Sequence, residues 1–172
     1  MNKTRASASV LAFAAATAAA FATLTFVATA AASSPTSVSE AFHRSIPNFI
    51  PCPGFTVRGE FDVSRTVMTF YDSDGAIARQ VTHVHFTGTL TNAVTGKSIP
   101  DEGNQVVIVD RTDGTTATIG RVRVVTVPGE GEILAQVGRL VRDASGNVIF
   151  IAGQQDFQTR NFDEFCAYMG SL

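Results

Sequence analysis

The chain has 172 residues, with thirteen Lys and Arg against fifteen Asp and Glu, a formal charge of −2 and no tryptophan. A mildly acidic chain without a basic cluster argues against nucleic acid and anionic membrane surfaces as partners. Thr, Val, Ile and Phe dominate beyond the first forty residues, which favours strands over helices.

Lys3 and Arg5 precede an alanine-rich run in which the next charge is Glu40. A basic start, an apolar stretch and a small-residue end make residues 1–32 a secretory signal peptide, cleaved near Ala28-Thr29-Ala30 or Ala30-Ala31-Ala32. An uncleaved anchor is the alternative, weakened by how little alanine favours insertion. Residues 33–50 are polar, with prolines at 35 and 47, and read as a flexible leader. Removing residues 1–32 leaves eleven bases and fifteen acids, a charge of −4. The segment 51–172 is then long enough for one domain with a core.

From Phe55 to Val63, apolar residues and Gly59 alternate with Thr56, Arg58, Glu60 and Asp62, the period-two mark of a half-buried strand. A second strand spans Thr66–Tyr71, and the DSDG sequence at 72–75 is a hairpin signal. Ile77–Asn92 is a long third strand, NAVTG a turn and Lys97–Ile99 a short fourth strand. Pro100–Asn104 reads as loop, Gln105–Asp110 as the fifth strand and RTDG at 111–114 as another hairpin. Thr115–Val127, Ile133–Arg142 and Val148–Phe157 complete eight strands, separated by PGEGE and DASGN. Asn161–Met169 is helical in pattern, with Asn161 as cap and Phe162, Phe165, Cys166 and Met169 on one stripe. The expected fold is all-β, an antiparallel meander forming a closed or nearly closed lipocalin- or allene-oxide-cyclase-like barrel with a short C-terminal helix. A sandwich is the alternative. Gly59, Gly88, Gly120, Gly138 and Gly153 inside strands favour the barrel, because closure needs repeated kinks.

Cys52 and Cys166 lie at the two ends of the folded region in a chain with an export signal, and pairing is the simplest reading. Two separate thiols are the alternative. The order of a cysteine after the leader, GTLTN, TGKS, a DxxGN turn and a late cysteine resembles a group of small exported actinobacterial proteins. That resemblance covers about residues 50–169. It implies export, a Cys52–Cys166 disulfide and an all-β domain, and no activity. The likeness to calycin barrels is one of shape only, since the lipocalin Gly-x-Trp signature needs a tryptophan.

Four side chains are candidates for a site. His83 and His85 point to one face of a strand, as paired metal ligands do, yet no third ligand follows at metal-site spacing. We therefore expect no metal and no cofactor. Arg121 and Arg123 share a face of the sixth expected strand and could hold a carboxylate; pairing with acids across the ladder is the simpler reading. Thr95-Gly96-Lys97-Ser98 lacks the upstream glycine and the helix of a phosphate loop, and no GxSxG elbow is present. No catalytic residue is assigned. The expected function is a secreted binding module, taking a small apolar or amphiphilic ligand or a protein partner, with no membrane contact after cleavage. The alternatives are a barrel isomerase or cyclase and an exported envelope or matrix component. The state of the interior separates them: a cavity with convergent polar groups, or one filled by Phe55, Phe61, Phe70, Phe86 and Phe150.

Overall fold

The computed structural model describes residues 34–172, and the expected signal peptide lies outside the described residues. Seven strands run in chain order: β1 (Thr36–Cys52), β2 (Phe55–Tyr71), β3 (Ile77–Asn92), β4 (Ser98–Asp110), β5 (Thr116–Val127), β6 (Gly131–Arg142) and β7 (Val148–Ala152). Each pairs antiparallel with the next in a single sheet. Two short helices follow, α1 (Asp156–Thr159) and α2 (Asp163–Ser171). The all-β meander is therefore present, with seven strands instead of eight. Closure is not, because β1 and β7 remain the two edges of the sheet.

The segment expected as a flexible leader is β1, a 17-residue strand paired with β2 from Thr36↔Thr69 to Cys52↔Phe55. Its inner side chains Val38, Phe42 and Ile46 alternate with Ser39, His43 and Ser45, a pattern diluted by Glu40 and Arg44 on the apolar side. Pro47 is tolerated because β1 is an edge strand and its register breaks between Ile46 and Ile50. The two strands expected over Phe55–Tyr71 are one, since Ser64-Arg65 has no glycine or proline to break the run and both flanking ladders pass through it. The expected loop Pro100–Asn104 is likewise strand. There β4 pairs only with β3, because its ladder with β5 covers no more than Val106–Val109, so Pro100 sits on an edge-like stretch.

Turns fall where Gly, Asn and Asp predict them. In the β3–β4 turn, Asn92 Oδ1 accepts hydrogen bonds from the N–H groups of Val94 and Thr95, and Gly96 adopts φ 74°. Asn92 Nδ2 also donates to Met169 O at 2.9 Å, which ties this turn to α2. Gly96→Ala is expected to lower stability by about 1 kcal/mol or more, through the left-handed backbone and not through a clash, because the space around Gly96 is open. Urea denaturation midpoints measure it, and an unchanged midpoint would refute the assignment.

The eighth expected strand ends early. β7 ends at Ala152, the chain meets β6 once more in the isolated Gln136↔Gln155 bridge, and the N–H of Ala135 donates to Asp156 Oδ2 at 2.7 Å. Asn161 does not cap α2; the N-cap position is Phe162, with no side-chain cap hydrogen bond. The expected stripe does pack: Phe165, Cys166 and Met169 are buried, and Phe162 rests against the core. Ile50, Val57, Leu90, Leu134, Phe165 and Met169 are fully shielded from solvent. Each such side chain contributes about 1.5–3 kcal/mol of transfer free energy. Cys52 and Cys166 form a disulfide with a Cα–Cα distance of 5.5 Å, joining the end of β1 to α2. No helix of the described residues is long and apolar enough to cross a membrane. The core thus lies between α2 and the ends of the strands nearest the disulfide, while Val38, Phe70, Ile77, Ile149, Phe150 and Ile151 at other parts of the sheet are exposed.

Candidate functional site

Register places the inner face of the first four strands in rows. One row is Phe42, Val63, Phe86 and Gly103; the next is Arg44, Phe61, Gly88 and Asp101. The glycines in these rows make room for rings. A Cβ on Gly103 would stand 2.7 Å from the Phe86 ring and 1.9 Å from Val122 O, and one on Gly88 would stand 2.7 Å from the Phe61 ring. The rings therefore lie down against the sheet, where other side chains would hold them off.

Arg123 reaches into this layer from β5. Its guanidinium carbon lies 4.5 Å from the Phe49 ring centroid, 5.0 Å from Phe86, 5.2 Å from Phe61 and 5.3 Å from Phe157. The rings also contact one another: Phe49 and Phe61 at 5.4 Å, Phe61 and Phe86 at 5.5 Å, both edge-to-face. Arg123 Nε donates to Asp101 Oδ2 at 2.6 Å. Only 9% of the Arg123 side chain and none of the Asp101 side chain is exposed. The pair stands where the β4–β5 ladder has ended, so it joins two strands that backbone hydrogen bonds no longer hold together. Burial pushes the Asp101 carboxyl up and the Arg123 guanidinium down, and each partner's charge offsets part of the other's shift. Asp101 Oδ1 is buried without a hydrogen-bond partner among the described residues.

Above the pair opens a cleft of about 310 Å³, lined by Phe42, Ile46, Val63 and Phe86 with Arg44, Arg65 and Arg123. Arg65 pairs with Glu40 and lies over the Phe42 ring at 5.5 Å. This is the arrangement suited to holding a small ligand: mostly apolar walls, a few polar groups at fixed positions, and a charged group at the base. It offers no nucleophile beside a base.

The four candidates from the sequence separate. Arg123 belongs to the cleft. Arg121 does not, and the shared face expected for the two arginines is corrected by a register shift: Arg121 opposes Val137 while Arg123 opposes Gln136, leaving Val122 as a bulge. The bulge turns Arg121 outward, where it lies 3.8 Å from Glu102 and half exposed. His83 and His85 do share a face, the outer one, in a shallow depression of about 630 Å³ with Ser39, Ser64, Thr66 and Asn104. Directly opposite His83 stand Thr66 and Val106, and opposite His85 stand Ser64 and Asn104, so no carboxylate faces either imidazole across the ladder. Among the described residues no group of three or more His, Cys, Asp or Glu is placed to hold a metal ion. The third histidine, His43, meets acids instead. Its ring nitrogens lie 3.0 Å from Asp62 Oδ1 and 3.0 Å from Glu60 Oε2, and these bonds, Asp62 first, raise its pKa above 6.5. His43 is on the exposed outer face, so salt screens the group and it does not organise a pocket.

Asp101, Phe49 and Phe157 were not legible as site residues. Asp101 had one signal: if Pro100–Asn104 is strand, period two puts Asp101 on the buried side with Ile99 and Gly103. Phe49 and Phe157 come from the irregular stretch of β1 and from α1, whose positions depend on tertiary packing. In comparison with known proteins, no family model, no curated protein and no solved structure matches the chain.

Proposed function

We propose that the chain is a secreted binding module, an open calycin-like barrel whose concave face takes a small apolar or amphiphilic ligand. The observation that carries this reading is the cleft of about 310 Å³ with Arg123 at its base. Its volume is at the lower end of the roughly 300–1,000 Å³ usual for ligand sites. The Cys52–Cys166 bridge fits an oxidising compartment outside the cytosol. Of the phenylalanines expected to fill a solid interior, Phe61 and Phe86 are buried and Phe55 packs against the core, whereas Phe150 is exposed and Phe70 falls on the outer face with Ser64 and Thr66. The cleft that opens above Arg123, beside the packed Phe61 and Phe86, favours a binding module over an envelope component without a small-molecule site.

The test uses 1-aminoanthracene, a small neutral fluorophore, titrated into the disulfide-bonded protein. Binding with a blue-shifted, enhanced emission is expected. Val63→Phe, which places a ring in the cleft, should abolish that signal while the circular dichroism spectrum is retained. No binding by the parent chain, or equal binding by the folded variant, would refute the cleft as the ligand site.

A further inference from the structure

Resting on the cleft as the ligand site, we propose that its ligand is a monocarboxylate, bound with the carboxylate against Arg123 and the apolar body directed outward along Phe42 and Val63. Two independent features of the site argue for this. The first is hydrogen bonding. Arg123 spends its Nε–H on Asp101, and among the described residues its guanidinium makes no other hydrogen bond. The remaining N–H groups belong to a side chain more than nine-tenths buried that lines the cleft, with aromatic faces around it that accept charge but not directional hydrogen bonds. Among the described residues the fully buried polar atom without a partner is Asp101 Oδ1, so the Arg123 N–H groups left over are open to the cleft, and a carboxylate meets the planar fork of a guanidinium with two parallel bonds.

The second is charge. Three arginines line the cleft, and Asp101 and Glu40 neutralise Arg123 and Arg65. Arg44 makes no ion pair among the described residues and stands in the same register row as Asp101. One positive charge is therefore unmatched. A single negative charge on the ligand balances it. A dianion such as a phosphate monoester would leave an excess negative charge beside the buried Asp101 carboxylate, where a low dielectric magnifies repulsion. The apolar body has a path to follow. Beyond the cleft, the inner face continues through Glu40 and Arg65, which pair with each other, to the row Val38, Val67, Thr82 and Val107, with Val38 65% exposed.

Isothermal titration of the oxidised protein with decanoate and with decanol separates the headgroup from the chain. Decanoate is expected to bind at least about tenfold tighter than decanol, the effect of a charge-assisted, two-bond contact. That advantage should shrink with added salt. Arg44→Gln, a change at an exposed position, should narrow the gap between the two, and Arg123→Lys, which keeps the charge and loses the fork, should narrow it further. If decanol binds as tightly as decanoate, the carboxylate inference falls while the cleft remains a ligand site. If neither binds, both fall. Decyl phosphate binding more tightly than decanoate at neutral pH would overturn the monoanion assignment.

Discussion

Loss of the Cys52–Cys166 bridge is expected to lower the melting temperature by about 10 °C or more. The bridge spans 114 residues of sequence, so it restrains the unfolded chain far more than it restrains the sheet. The chain-entropy model assigns such a loop about 4–5 kcal/mol, and a domain of this size loses a few degrees per kcal/mol. The structure adds a local reason. α2 docks on the core through Phe165, Cys166 and Met169, and its remaining polar tie to the sheet is the 2.9 Å bond from Asn92 Nδ2 to Met169 O. A nine-residue helix has little stability of its own. The double variant Cys52→Ser/Cys166→Ser avoids a free thiol, and calorimetry with and without reductant measures the effect. Reductant should bring the parent chain to the melting point of the variant and leave the variant unmoved. A parent chain indifferent to reductant would show that packing alone holds α2.

Asp101→Ala is expected to cost about 3–5 kcal/mol, because it leaves the Arg123 guanidinium buried without its counter-ion. The four rings around Arg123 attract the cation but do not replace a carboxylate hydrogen bond at 2.6 Å. Arg123→Met should be milder, since the methionine fills the aromatic cage and Asp101 can take up a proton. The double variant Asp101→Ala/Arg123→Met should cost clearly less than the sum of the two, and equilibrium urea unfolding of all four chains gives the coupling. Additivity would mean that the pair does not act as a unit. The pH dependence has a definite sign. Burial raises the Asp101 carboxyl above its ordinary 3.8, with Arg123 opposing the rise. Between the ordinary and the raised value the folded chain keeps a proton that the unfolded chain has lost. The contribution of this group to stability is therefore largest at acid pH and declines as pH rises through that window. Asp101→Asn should remove that component of the pH profile.

Turns and outer-face alternation were legible from local chemistry. Gly96, DSDG, RTDG, PGEGE and DASGN sit between strands because left-handed or tight backbone is cheap at Gly, Asn and Asp. The core face of β2 follows from Phe55, Val57, Phe61 and Val63 at period two. The pairing of the two cysteines followed from their number and the expected export signal. These features depend on a few neighbouring residues, or on the simple count of a reactive side chain.

The strand assignment of Thr36–Cys52, the strand through Pro100, the burial of Asp101 and the parting of Arg121 from Arg123 depended on neighbours far along the chain. A polar, proline-bearing segment becomes β1 because β2 presents a free ladder to it, and an edge needs only one bonded side. Arg121 and Arg123 are two apart, as any pair on one face would be, and the bulge at Val122 falls where the ladder with β4 has ended and β5 pairs with β6 alone. Amino-acid order specifies which residues favour strand, turn or burial within a few positions. Which strand ends early, which edge stays open and which charge is taken out of water are set by how seven strands and two helices fit together, because those free energies are shared among residues distant in sequence.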